Sequence, residues 1–111
     1  MNFDTWKHLD PVKGMAERLG FDAALSQSQD WDDYTTRFIR ANDDNGRMVK
    51  AAEDLWGYLS TGERPVLAAM LHAADFSRFA DRWSEGGTWS ALDRTYGDHA
   101  AAVALAILRQ H

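Results

Sequence analysis

The chain has 111 residues, with 12 Lys or Arg against 17 Asp or Glu, a net charge of −5, five tryptophans and no cysteine. That length suits a single domain spanning 1–111, able to bury about two-thirds of its unfolded surface without help from a metal or a disulfide. Disulfide frameworks and thiolate chemistry are excluded, and basic residues scattered singly through an acidic chain argue against nucleic acid as a partner, which would call for a basic patch.

Met1 to Leu9 lacks the apolar core of a secretory signal. The longest apolar run, Ala100 to Leu108, is far short of the about 20 residues that cross a membrane. No membrane association is therefore expected, and the cytoplasm is the expected location.

In chain order, Phe3, Trp6 and Leu9 recur every three residues and predict one or two turns of helix, with Asp4 as a cap. Asp10-Pro11 is a helix start, a capping carboxylate followed by Pro at the first helical position. Val12, Met15, Ala16 and Leu19 follow with helical period, and Gly20 ends the helix because it adopts positive φ without a Cβ clash. Phe21 is expected to fold back onto that end. Gly14, inside the helix, costs about 1 kcal/mol against Ala and is read as the mark of a close helix contact.

Asp22 caps a short turn through Leu25, and Ser26 to Gln29 reads as a polar connector. Asp30 caps the next helix, which places Trp31, Tyr34, Phe38 and Ala41 on one face, with Asp32 and Asp33 at the dipole-favoured start. Asn42 to Gly46 is the strongest turn signal in the chain. It leads into a helix from Arg47 to Leu59 with a wide apolar stripe of Met48, Val49, Ala52, Leu55, Trp56 and Leu59.

Ser60 to Trp83 is the longest run that reads as helix. Ser60 and Glu63 form a capping box, while Pro65 makes the first turn irregular or delays the regular helix to the region 62–65. Val66, Leu67, Met70, Leu71 and Ala74 share one face. His72, Phe76, Phe79, Ala80 and Trp83 then turn nearly the opposite way. Either one straight helix crosses the molecule, or it breaks near Ala74 with Asp75 capping a second piece. The straight helix is preferred because no Gly or Pro marks a break. Ser84 to Gly87 is a loop, Thr88 caps a short helix with Trp89 and Leu92, and Gly97-Asp98 restarts the chain into a last helix that is apolar on every side and expected to be buried. No stretch alternates with period two, so no sheet is expected. The fold class is all-α, a single compact, irregular (orthogonal) bundle of about five to seven helices, several of them short.

Motifs for chemistry are sparse. Placing Gly46 at the sixth position of a calcium loop puts Ala41 and Ala52 where acids are required, so the loop does not match. The histidines His8, His72, His99 and His111 are far apart, and the pairs Asp4–His8 and His72–Asp75 do not make a metal site. No nucleophile elbow or phosphate-binding glycine loop is present. The adjacent acids Asp32/Asp33, Asp43/Asp44 and Glu53/Asp54 diverge on a helix and are explained as caps or solvated faces. No catalytic residue, metal or cofactor is assigned.

The equal spacing of Trp6, Trp31 and Trp56 is not supported by similar flanks and does not mark a repeat; the large aromatics are read as core. What remains is interaction. His72, Phe76, Phe79, Trp83 and Trp89 form the aromatic cluster assigned to binding another protein through a non-enzymatic, regulatory surface. Two alternatives stand beside it, a small-molecule pocket near His72 and Trp83, and an enzyme with His72 as base. Homodimerisation through the apolar last helix is a further option. An acidic, tryptophan-rich, cysteine-free composition resembles that of short bacterial or phage-encoded proteins, and no motif ties it to a named family.

Overall fold

The computed structural model describes residues 3–43, 45–60, 62–76 and 97–108. Among them run seven α-helices and no strand: α1 (Phe3–Lys7), α2 (Asp10–Leu19), α3 (Asp22–Gln27), α4 (Trp31–Asn42), α5 (Arg47–Trp56), α6 (Arg64–Ala73) and α7 (Gly97–Leu108). The architecture is an all-α bundle, with a radius of gyration of 12.3 Å against about 13 Å for a folded chain of this length.

α6 lies at the centre. Every residue from Pro65 to Leu71, and Ala73 after them, is buried, so the single apolar face expected of its first half is instead a whole buried circumference. It packs most extensively on α7 and also touches α2 and α5. α7 lends Ala102, Val103, Leu105 and Ala106 to the core, where small residues let two helices lie close. Ala100, Ala101 and Ala104 are half-buried.

A helix buried on all sides must have its terminal backbone groups satisfied by protein. At the N-terminal end the capping box forms as expected. Ser60 Oγ accepts from the Glu63 N–H at 3.2 Å, and Glu63 Oε1 accepts from the Ser60 N–H at 2.9 Å. The regular helix starts one residue before Pro65, within the expected region.

At the C-terminal end the expectation of one straight helix from Ser60 to Trp83 is overturned. Asp75 adopts φ 66°, its N–H bonds to the His72 carbonyl at 3.1 Å, and the Phe76 N–H bonds to the Leu71 carbonyl at 2.8 Å. This pair of bonds closes a helix around a left-handed residue. Asp occupies the place usually taken by glycine, which its short polar side chain allows. Two carbonyls of this end also accept from α4. The Tyr34 hydroxyl donates to the Met70 carbonyl at 2.8 Å and the Thr35 hydroxyl to the Ala73 carbonyl at 2.9 Å. Complete burial pushes the Tyr34 phenol pKa up.

The same closure ends α2. Gly20 sits at φ 71° and the Phe21 N–H reaches the Ala16 carbonyl at 2.8 Å, so Phe21 folds back as expected. The two phenylalanines that follow the left-handed residues converge on one ring. Phe21 and Phe76 lie 5.4 and 5.5 Å from Phe38, centroid to centroid. Beyond Phe38 the aromatic packing continues through Tyr34 to Trp6 and Trp31, whose rings are 4.8 Å apart. The Trp6 indole N–H donates to the Ala102 carbonyl at 2.9 Å and so ties α1 to α7. Trp6 and Trp31 are core residues, as read from the sequence.

Smaller differences have local causes. Asp10 makes no side-chain cap, because the helix begins from Leu9, whose carbonyl takes the Val12 and Lys13 N–H groups at 3.0 Å. α3 runs into the expected connector as far as Gln27, and Ser28 is buried with its hydroxyl donated to the Ala24 carbonyl at 2.8 Å. α5 ends at Trp56 rather than Leu59. A tighter turn follows, Tyr58 N–H to Leu55 and Leu59 N–H to Trp56, and it still delivers Leu59 to the core. Asp30 caps α4 as expected, accepting from the Asp33 N–H at 2.7 Å. The Asn42 carboxamide accepts the Val49 N–H at 3.0 Å, in the first turn of α5.

Gly14 does not mark a close contact, since a Cβ placed there meets nothing within 4 Å. Gly14→Ala is therefore expected to stabilise the fold by about 0.5–1 kcal/mol and to raise Tm by about 4 °C in a thermal melt. Leu67 is fully buried in the middle of α6. Truncation to Ala there costs about 2–5 kcal/mol, and Leu67→Asp adds an unpaired buried charge. The Asp variant is expected to lose its cooperative urea transition, and an unchanged midpoint would contradict the central position of α6.

Candidate functional site

Of the residues assigned to the aromatic binding face, His72 and Phe76 fall within the described residues, while Phe79, Trp83 and Trp89 lie outside them. His72 is half-buried on α6, and among the described residues no group hydrogen-bonds its ring. Phe76 packs inward on the core beside Phe38. The sequence pattern turned both residues away from the face of Leu67; the closing turn at Asp75 brings Phe76 back against the same core.

The other pairings considered from sequence also resolve differently. His8 Nδ1 lies 2.7 Å from the Asp4 backbone carbonyl rather than on its carboxylate. Asp33 is occupied by the Gln29 N–H and by Arg37, each at 3.0 Å. Among the described residues no three His, Asp or Glu side chains converge as metal ligands, and no helix is long and apolar enough to cross a membrane.

Two surface features are built by the fold. The first is the corner between α5 and α6. Trp56 closes α5, half-buried, and the Arg64 guanidinium stacks over its ring at 5.6 Å while Arg64 Nε donates to the Trp56 carbonyl at 3.1 Å. Tyr58 projects from the intervening turn with 84% of its surface exposed. The turn is held by the Ser60–Glu63 box, and Glu63 also pairs with Arg18 at 3.1 Å. Tyr58 was missed because it falls between the stripe positions Trp56 and Leu59, off the apolar face and with no periodic signal.

The second is a cleft of about 300 Å³ between α1, α2 and α3. Its basic groups are Lys7 and His8 at the end of α1 and Lys13 on α2, and its acids are Glu17 on α2 and Asp22 at the start of α3. Lys7 Nζ donates to the carbonyls of Ser28 at 2.8 Å and Ser26 at 3.3 Å, across the end of α3. The ammonium sits 5.8 Å from the Phe3 ring centroid. No sequence motif marks this cleft, because its residues come from three helices and meet only once the α1–α2 and α2–α3 turns are formed. A more open depression lies between Pro11 and His99. Neither hollow is lined by His72.

The fold defines an all-α helical-bundle domain. In comparison with known proteins, the chain matches no family model, no curated protein and no solved structure.

The Glu63 carboxylate is held below its usual pKa, first by the Ser60 backbone N–H, with burial opposing and the Ser60 hydroxyl and Arg18 assisting. A depressed folded value contributes stability above the unfolded pKa of about 4.3 and loses it as pH falls through the folded value. Glu63→Gln is therefore expected to be slightly less stable than the parent near neutral pH, the effect being small because solvent screens an exposed carboxylate. Urea melts should show the two converging as the pH falls through the folded value, where both side chains are neutral. A difference that persists there would remove the carboxylate from the cap.

Proposed function

We propose that the protein is a non-enzymatic protein–protein interaction module acting in the cytoplasm. The observation that carries this reading is the α5–α6 corner, where Tyr58 stands 84% exposed beside the Trp56–Arg64 stack. Trp, Tyr and Arg are the residues most enriched where interfaces concentrate their binding energy. The corner is also pre-organised. Its backbone is fixed by the capping box, and Arg64 is fixed on Trp56, so little side-chain freedom is lost on docking. A stacked guanidinium presents its outer N–H groups as a fork suited to a carboxylate, which favours a partner that sets an acidic side chain beside an apolar one.

The test is affinity capture from the source cytosol with the parent, Tyr58→Ala and Trp83→Ala. Tyr58→Ala is expected to melt like the parent, since the side chain buries little surface, yet to reduce retention of a captured partner by about tenfold or more. Trp83→Ala reads the contribution of the aromatic face expected at Phe79, Trp83 and Trp89. Undiminished capture by Tyr58→Ala, or no partner retained by the parent, would refute the corner as the docking site.

A further inference from the structure

The cleft between α1, α2 and α3 is lined by charged groups of both signs whose bonding is incomplete. Lys7 carries three N–H donors. Two are taken by the Ser26 and Ser28 carbonyls, and Asp4 Oδ1, at 3.9 Å, is beyond hydrogen-bond distance. The third donor has no acceptor among the described residues, although the Lys7 side chain is only 14% exposed. His8 donates Nδ1 to a carbonyl, which can only accept, so Nε2 is the polar atom left to its ring. Lys13, Glu17 and Asp22 form neither an ion pair nor a side-chain hydrogen bond among the described residues.

The charges are also ordered. Lys13 and Glu17 are four positions apart on α2, so the sign of the wall reverses over about one helical turn, roughly 5–6 Å. Asp22 opens α3 immediately after the turn that ends α2 and adds to the acidic end. Lys7 is bound to the far end of α3 and adds to the basic end. Leu25 supplies the apolar part of the lining.

From this arrangement we infer that the cleft is a binding site for a small zwitterion, an ω-amino acid of a few carbons. Its carboxylate meets Lys7 and Lys13, its ammonium meets Glu17 and Asp22, and its methylenes lie on Leu25. A singly charged ligand would find one end attractive and the other repulsive. The volume of about 300 Å³ is at the small end of ligand sites and accommodates a chain of a few carbons.

The test is an amide chemical-shift titration with γ-aminobutyrate, β-alanine and glycine, and with butyrate and butylamine as singly charged controls. γ-Aminobutyrate is expected to shift the amides of α2 and α3 and to bind about tenfold more tightly than either control, the scale of one charge-assisted hydrogen bond. Lys13→Gln and Glu17→Gln alter exposed side chains, so both variants should stay folded, and each is expected to weaken binding about tenfold. No shifts with any zwitterion at about 10 mM, equal binding of butyrate or butylamine, or unaltered affinity in both variants would each overturn the assignment.

Discussion

The structure depends on the burial of α6 from Pro65 to Leu71. A solvent-facing helix leaves its end groups to water, but α6 has to find protein partners for them, and the surrounding elements are placed accordingly. Tyr34 and Thr35 of α4 take two carbonyls of its last turn. The Ser60–Glu63 box holds the backbone that enters it. The alanines of α7 allow the closest packing against it. Buried hydrogen bonds of this kind add modestly to net stability when made, and leaving the groups unpaired costs considerably more. Their main effect is to fix one position of α4 against α6, where apolar packing by itself would allow several.

Phe38 shows how that position is locked on the other side. Two helices end in the same left-handed closure, and each closure throws a phenylalanine onto the Phe38 ring. A backbone device that ends a helix thereby also aims a side chain, and the ends of α2 and α6 are brought to the same place on α4. The tilted ring geometry at both contacts is the kind aromatic pairs favour. Packing and chain reversal are thus one event at each site.

Much of this was legible in the sequence because local rules and the tertiary fold agree. The periods of α2, α4 and α5, the cap at Asp30, the box at Ser60 and the closure at Gly20 all rest on residues whose preferred local conformation is the one adopted. Asp75 was not legible, because the closure is recognised from glycine and Asp only tolerates the same φ. Gly14 was misread for the opposite reason, as a glycine suggests a close approach that the fold does not make there. The sites were harder still. His72 and Phe76 stand out in a helical projection extended through Ala74, and the projection fails where the helix stops. Tyr58 and the residues of the α1–α2–α3 cleft carry no periodic signal, and their arrangement exists only once the turns are formed.

The hydrogen bond from Trp6 to Ala102 spans 96 positions of the chain, and this has a consequence for biosynthesis. α1 has five residues, too few to persist as an isolated helix, and it is held by rings from α4 and a carbonyl from α7. α1 is synthesised before α7, and its last anchor is made several seconds later at about 5–20 residues per second. Until then the Trp6 indole N–H lacks the acceptor it has in the folded chain. Docking of α1 is therefore complete only once α7 is in place.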